Sequence, residues 1–84
     1  MKNDNLLACE IVHRLRGRIR IKSKAFKYIG ASLKTEIEKQ LVQVRYIESV
    51  EISLITGTIL IYFEDVSLSD QNLISLIQNT LNSH

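Results

Sequence analysis

Residues 18 to 22 read Arg-Ile-Arg-Ile-Lys. Successive side chains of a β-strand point to opposite faces, so Ile19 and Ile21 would share one face while the basic residues share the other. The alternation therefore predicts a strand with a buried apolar face and an exposed basic face. We expect this strand to cover residues 17–23.

A second β-rich run, Leu-Ala-Cys-Glu-Ile-Val-His, precedes this strand at residues 7–13. Gly17 lies between the two runs, where a turn or a bulge could use its freedom to adopt a positive φ. The two runs either form an antiparallel hairpin, with a first strand over residues 7–14, or make one long strand bent at Gly17.

After this basic strand, apolar residues recur every three or four positions instead of every second position. This spacing predicts a helix over residues 26–44, in which Lys34 and Glu38 are four residues apart and can form an ion pair. Gly30 falls inside the pattern and is tolerated at a cost of roughly 1 kcal/mol relative to Ala. The apolar stripe consists of Phe26, Ile29, Leu33, Ile37, Leu41 and Val44.

The period of two returns over residues 46–55 and 58–64, and Thr56-Gly57 between them predicts a hairpin turn. A final helix is expected over residues 69–82, because Ser67-Leu68-Ser69-Asp70 resembles a capping box. The apolar stripe of this helix consists of Leu73, Ile74, Ile77 and Leu81.

The predicted order is ββαββα, which indicates an α+β sandwich with a four-stranded antiparallel sheet and two helices on one face. A ferredoxin-like fold has the order βαββαβ, with its last strand beside its first. Residues 7–14 can supply that strand from the front of the chain, so we expect a ferredoxin-like sandwich with its final strand moved to the N-terminus. The predicted core includes Ile21, Leu33, Ile37, Leu41, Ile52, Ile61, Ile74 and Ile77.

The 84 residues suffice for one small domain, which we expect to span residues 1–84 with a core over about 7–82. The net charge of +2 hides a strong asymmetry. Residues 1–45 hold all eleven Lys and Arg and four of the nine acids, a net +7, while the rest of the chain holds five acids and a net −5. The plainest interpretation of this basic field is a solvated strand balanced by Glu51 and its neighbours.

Composition and motifs argue against a membrane, disulfide-bonded or enzymatic protein. The longest uncharged apolar run, Ile59–Phe63, is too short to span a bilayer, and the N-terminus does not resemble a signal peptide, so we expect a cytoplasmic protein. A single cysteine, Cys9, excludes a disulfide framework and a Cys-x-x-Cys site. No nucleophile–base pair, carboxylate pair or Gly-rich phosphate loop is recognisable, so a binding module is expected rather than an enzyme.

The segment His13-Arg14-Leu15-Arg16-Gly17-Arg18-Ile19-Arg20 resembles the H-x-x-x-G-R-x-R opening of heavy-metal-associated domains of the second type. The resemblance continues through the first helix, the segment 50–63 with its Thr56-Gly57 turn, and the final helix. Members of this family occur alone and at the N-termini of bacterial P-type cation ATPases. The resemblance implies a role in metal or haem handling or metal transport, with a cation-transporting ATPase or another protein as the partner.

Ordinary heavy-metal-associated domains carry a Cys-x-x-Cys pair in the loop after the first sheet strand, where two soft thiolates hold copper(I) or zinc. The corresponding loop here, Ser23-Lys24-Ala25-Phe26, has no thiolate, thioether or imidazole. The resemblance therefore does not imply copper-chaperone activity. The cofactor stays open between haem, a transition-metal ion and none.

Four residues form the candidate ligand-binding set: His13, Arg18, Arg20 and Tyr62. His13 is the candidate ligand to a metal or a haem iron, although a strand-end histidine bonded to backbone is the plainer interpretation. Arg18 and Arg20 would project about 7 Å apart from one strand face, which suits carboxylates, haem propionates or phosphates. Cys9 shares the strand parity of His13 but would lie about 13 Å away, too far to share an ion, and is expected to be a small buried apolar residue.

The basic face leaves two other functions open. Tyr62, expected on this face with Arg18, Arg20 and Leu60, could stack a base of single-stranded nucleic acid, although the chain lacks the aromatic-rich strand of RNA-recognition modules. The face could instead dock a protein, including a second copy of this chain in a homodimer. Nucleic acid is the less favoured partner, and a membrane surface is disfavoured because the basic residues alternate on a strand rather than follow a helix face.

Overall fold

A computed structural model describes residues 8–64 and 69–83. The segments whose apolar residues alternate are strands, and those whose apolar residues recur every three to four positions are helices. Within these residues the predicted ββαββα order is confirmed. The strands are β1 Glu10–Leu15, β2 Arg18–Lys22, β3 Ile47–Ser53 and β4 Thr58–Phe63. The helices are α1 Gly30–Val42 and α2 Asp70–Asn82, preceded by a short 3-10 helix, Lys24–Lys27. Leu7, placed in the first predicted strand, and Ser67 and Leu68 of the predicted capping box lie outside the described residues.

The four strands form one antiparallel sheet in the order β1-β2-β4-β3. This is the strand order of a ferredoxin-like sandwich whose edge strand comes first in the chain, as predicted. Strands β1 and β2 are a hairpin rather than one bent strand, because Gly17 adopts a φ of 72° in the turn between them. Gly17 also accepts a hydrogen bond at its carbonyl from the backbone of Phe63, which continues the pairing of β2 with β4.

One face of the sheet packs on both helices. The inward side chains of β2, β3 and β4 join those of α1 and α2 in a single core cluster, in which Ile19, Ile37 and Leu73 are fully buried. Six of the eight predicted core residues are buried: Ile21, Ile37, Leu41, Ile52, Ile61 and Ile77. Leu33 and Ile74 are only half-buried, because they flank the stripes that their helices turn toward the sheet.

The segment predicted as one helix over residues 26–44 is two elements. Phe26 is buried in the 3-10 helix, whose first turn is capped by the Ser23 hydroxyl, which accepts a hydrogen bond from the backbone N of Ala25 at 3.3 Å. Gly30 does not lie inside a helix but begins α1, with a φ of 80°. A right-handed helix has negative φ throughout, so this glycine separates the two elements.

Both edge strands carry a bulge. The pairing of β1 with β2 shifts between Ile11 and His13, and the pairing of β3 with β4 shifts between Ile47 and Ser49. Each shift inserts one extra residue, which reverses the alternation of side chains beyond it. Bulges of this kind also discourage edge-to-edge association of sheets.

Among the described residues, no helix is long and apolar enough to cross a membrane.

Candidate functional site

The sheet face away from the helices, here called the outer face, carries all four candidate residues. Cross-strand pairing arranges it in rows: His13 lies opposite Arg20, Arg20 opposite Leu60, and Leu60 opposite Glu51. The neighbouring row contains Leu15, Arg18, Tyr62 and Ser49, and the third contains Glu10, Lys22, Thr58 and Ser53. The basic side chains of β2 thus form a column between β1 and the polar and apolar residues of β4.

His13 is exposed in the middle of β1, directly across from Arg20. It does not lie at a strand end, and within residues 8–64 and 69–83 it forms no hydrogen bond that would fix it to backbone. The prediction that Cys9 and His13 share a face is wrong, because the extra residue Val12 shifts the alternation between them. Cys9 packs against the core, whereas His13 is on the outer face.

Arg18 and Tyr62 are cross-strand partners on the outer face. The Arg18 guanidinium lies 5.7 Å from the centre of the Tyr62 ring, a distance at which a cation is attracted to the ring face. The Arg18 Nε is buried and has no hydrogen-bond partner within the described chain. The other guanidinium N–H groups of Arg18 are not buried in this way, and they can donate to an acceptor that arrives from solvent.

The outer face also carries two acidic residues, Glu10 on β1 and Glu51 on β3. In the described part of the chain, neither Arg18 nor Arg20 forms an ion pair with Glu10 or Glu51. Two ion pairs join other residues, Arg14 with Asp70 and Lys34 with Glu38. The last of these is the helical pair that the sequence predicts.

Arg14 belongs to the same sequence motif as Arg18 and Arg20 but serves a different purpose. It pairs with Ile19 and therefore points to the helix side of the sheet. Its Nε donates to Asp70 Oδ1 at 2.6 Å in the first turn of α2, and its guanidinium lies 5.2 Å from the Phe63 ring. Sequence reasoning grouped Arg14 with the basic field and missed this role, since the bulge that sets its direction has no signature in the sequence.

Residues 23–26 correspond to the loop that holds thiolates in ordinary heavy-metal-associated domains, and here they make structural contacts. Ser23 is buried, donates its backbone N–H to the Gly57 carbonyl at 2.9 Å, and shares a side-chain hydrogen bond with Cys9. Burial raises the pKa of the Cys9 thiol, and the Ser23 hydrogen bond opposes this to a smaller degree. Within the described residues, no three His, Cys, Asp or Glu side chains cluster closely enough to hold a metal ion.

A family model described as Heavy metal associated domain 2 matches residues 3–84. No curated protein and no solved structure matches the chain. The family match extends over both bulged edge strands and over the outer face with its basic column.

Proposed function

Because the chain belongs to the Heavy metal associated domain 2 family, we propose that it is a non-enzymatic binding module in metal or haem handling whose ligand sits on the outer face. The observation that carries the proposal is the position of His13. It is an exposed imidazole, directly across from Arg20 and one row from the Arg18–Tyr62 pair. One imidazole beside two guanidinium groups suits a ligand that combines a metal centre with carboxylates.

A bare metal ion fits these residues poorly. Transition-metal sites in proteins use several side-chain ligands, and the described chain offers His13 without a second donor cluster. Haem fits better, because one protein imidazole can hold its iron and its propionates accept hydrogen bonds from arginine. Leu15, Leu60 and Tyr62 on the same face would offer apolar contacts to such a ligand.

Each candidate residue has a separate role in this proposal. His13 would bind the iron, and Arg18 and Arg20 would hold the propionates through charge-assisted hydrogen bonds. Tyr62 supports Arg18 from below through the ring contact at 5.7 Å and adds apolar area. A bound haem would supply the iron chemistry, while the protein orients and carries it. We place this module in the cytoplasm, beside a cation-transporting ATPase or another protein that receives the ligand.

A titration of the purified protein with haem and with divalent transition-metal ions tests this function. We expect a shift of the haem absorbance band that is lost in His13→Ala and weakened in Arg18→Ala plus Arg20→Ala. The matched control is Lys39→Ala plus Arg45→Ala, which removes the same charge from exposed positions that lie off the sheet. Absence of a band shift in the wild-type protein, or an equal shift in His13→Ala, would refute the role of His13.

Single-stranded nucleic acid is the second candidate, and the Arg18–Tyr62 pair is the observation in its favour. An aromatic ring among basic residues on an open sheet can stack a base. Here, however, the Arg18 guanidinium already covers the Tyr62 ring, so a base would have to displace it. Retention on single-stranded RNA that falls steeply with salt, and that depends on Arg18 and Arg20 but not on His13, would favour this function over haem binding.

A further inference from the structure

We propose that one end of the sheet docks onto an anionic lipid bilayer. This end, here called the turn end, consists of the 3-10 helix Lys24–Lys27, Tyr28 and the β3–β4 turn at residues 54–57. The proposal is independent of the haem or metal ligand on the outer face. It rests on two strongly exposed apolar side chains and on the lysines beside them.

The two most exposed large apolar side chains of the described residues both belong to the turn end. Ile55 is 89% exposed and Tyr28 is 74% exposed, whereas the other exposed apolar residues reach at most 51%. Hairpin turns ordinarily take Gly, Pro, Asn, Asp or Ser, so an isoleucine in one is unusual. Neither side chain contributes to the core, which favours a role in contact with another surface.

Backbone and side-chain contacts hold these two residues at the same end of the molecule. The Ser23 N–H donates to the Gly57 carbonyl at 2.9 Å, which fastens the start of the 3-10 helix to the turn that contains Ile55. A Cβ at Gly57 would lie 3.0 Å from the Lys27 Cγ, so the turn packs directly on the residue before Tyr28. The two apolar side chains thus project into solvent from segments that are packed against each other.

The turn end carries more positive than negative charge. Residues 53–58 contain no charged side chain, and residues 22–30 contain no acid. Glu10 stands across from Lys22 in the pairing of β1 with β2 and offsets its charge. The lysines of this end are all exposed: Lys22, Lys24 and Lys27. The balance is a net positive charge that comes from the 3-10 helix.

The acids of the neighbouring elements stand back from the turn end. Glu51 lies two residues before the end of β3, about 7 Å along the strand. Helix α1 begins at Gly30 beside the turn end, and its first turn holds no acidic residue. An approaching anionic surface therefore meets the lysines of the 3-10 helix before it meets a carboxylate.

This combination suits a lipid surface better than a protein. Lysine is depleted in protein–protein interfaces, where arginine is the favoured cation, and the segments of the turn end contain no arginine. Anionic headgroups attract each lysine near the bilayer surface, while exposed apolar side chains enter the boundary between headgroups and acyl chains. A tyrosine ring with its polar hydroxyl is favoured at that depth. Arg18 and Arg20, which alternate along β2, take no part in this contact.

Co-sedimentation with lipid vesicles tests the proposal. We expect binding to vesicles of phosphatidylcholine and phosphatidylglycerol in equal parts, and much weaker binding to phosphatidylcholine alone. The binding should weaken between about 0.05 M and about 0.5 M salt, because salt screens the lysines. Ile55→Ser should lower it about tenfold or more, since an apolar side chain no longer enters the bilayer. Lys24→Gln plus Lys27→Gln should lower it about twentyfold, at about fivefold for each lysine.

Matched controls change the same chemistry away from the turn end. Val42→Ser removes an exposed apolar side chain at the C-terminal end of α1. Lys39→Gln plus Arg45→Gln removes two exposed positive charges near the same end of that helix. Both variants should bind the anionic vesicles nearly as the wild type does.

Fluorescence reports whether the turn enters the bilayer. The chain has no tryptophan, so Ile55→Trp carries a single indole at the turn end. Its emission should move to shorter wavelength when the anionic vesicles are added, whereas that of Val42→Trp should not. A wild type that does not bind these vesicles, an Ile55→Ser variant that binds as the wild type does, or an unchanged Ile55→Trp emission would each overturn the proposal. None of these variants alters the proposed ligand set, so a failure here with haem binding retained leaves the proposed function standing.

Discussion

Glu38 ties helix α1 to the edge strand β3, and we predict that removing its carboxylate destabilises this edge. Its Oε2 accepts a hydrogen bond from the backbone N of Ile52 at 2.7 Å, and the Lys34 Nζ lies 3.1 Å from the same oxygen. The Ile52 N–H points away from β4, on the side where β3 has no neighbouring strand. Because Ile52 is only 2% exposed, water cannot easily replace the carboxylate.

The magnitude follows from two contributions. Leaving a buried backbone donor without a partner costs about 1–3 kcal/mol. The Lys34 pair adds less than about 1 kcal/mol, because both side chains are partly exposed and their attraction is screened. We therefore expect Glu38→Ala to lower the free energy of unfolding by about 2 kcal/mol, near the middle of the first range. Glu38→Gln keeps an oxygen acceptor at the same position and should recover most of that loss.

Urea denaturation of wild type, Glu38→Ala, Glu38→Gln and Lys34→Ala measures these differences. Lys34→Ala is the matched control, since it removes the ion pair and leaves the hydrogen bond to Ile52. Amide hydrogen exchange at Ile52 should accelerate in Glu38→Ala and stay near wild type in Lys34→Ala. If Glu38→Ala and Lys34→Ala lose equal stability, the backbone hydrogen bond does not stabilise the edge and the reasoning is refuted.

Three further predictions concern the core, the β3–β4 turn and the cysteine. Ile37→Ala should cost about 2–5 kcal/mol in urea denaturation, since Ile37 is fully buried in the helix–sheet core, and a loss below about 0.5 kcal/mol would contradict this packing. Gly57→Ala should cost about 1–2 kcal/mol, because Gly57 has a φ of 70° and a Cβ there would lie 3.0 Å from the Lys27 Cγ; an unchanged midpoint would contradict it. Burial raises the Cys9 pKa above its ordinary value of 9.0 in the folded state, so its contribution to stability should be full below pH 9.0 and decline as pH rises above it. Cys9→Ala should remove that component of the pH dependence, and an identical decline in this variant would refute the assignment.

The alternation of β2 is the part of the fold that the sequence specifies most strongly. Ile19 and Ile21 are fully buried, and Arg20 and Lys22 are exposed, as the period of two requires. A register slip of one residue would bury the basic side chains, so this strand has a single favourable phase. The order of the elements and the face covered by the helices follow from the same kind of argument.

The edge strands are less predictable, because the single extra residue of a bulge cannot be recognised from the amino-acid composition. The insertion at Val12 reverses the alternation between Cys9 and His13, which no count of residues along β1 reveals. It also turns Arg14 toward α2, where Asp70 binds it. Two arginines four residues apart in one motif, Arg14 and Arg18, thus face opposite sides of the sheet.

The loop after β2 has a structural role, which bears on where we propose the binding site. Ser23 caps the 3-10 helix, and Ala25 and Phe26 are buried in the core, so this loop holds the sheet, the 3-10 helix and the Gly57 turn together. Replacing these residues by a pair of metal-binding cysteines would remove the packing contacts that they make. The side chains that we propose for binding are ones that the core does not require, since they stand on the outer face. His13 reaches that face through the bulge in β1, which makes the irregularity of an edge strand the feature that brings an imidazole beside the arginines of β2.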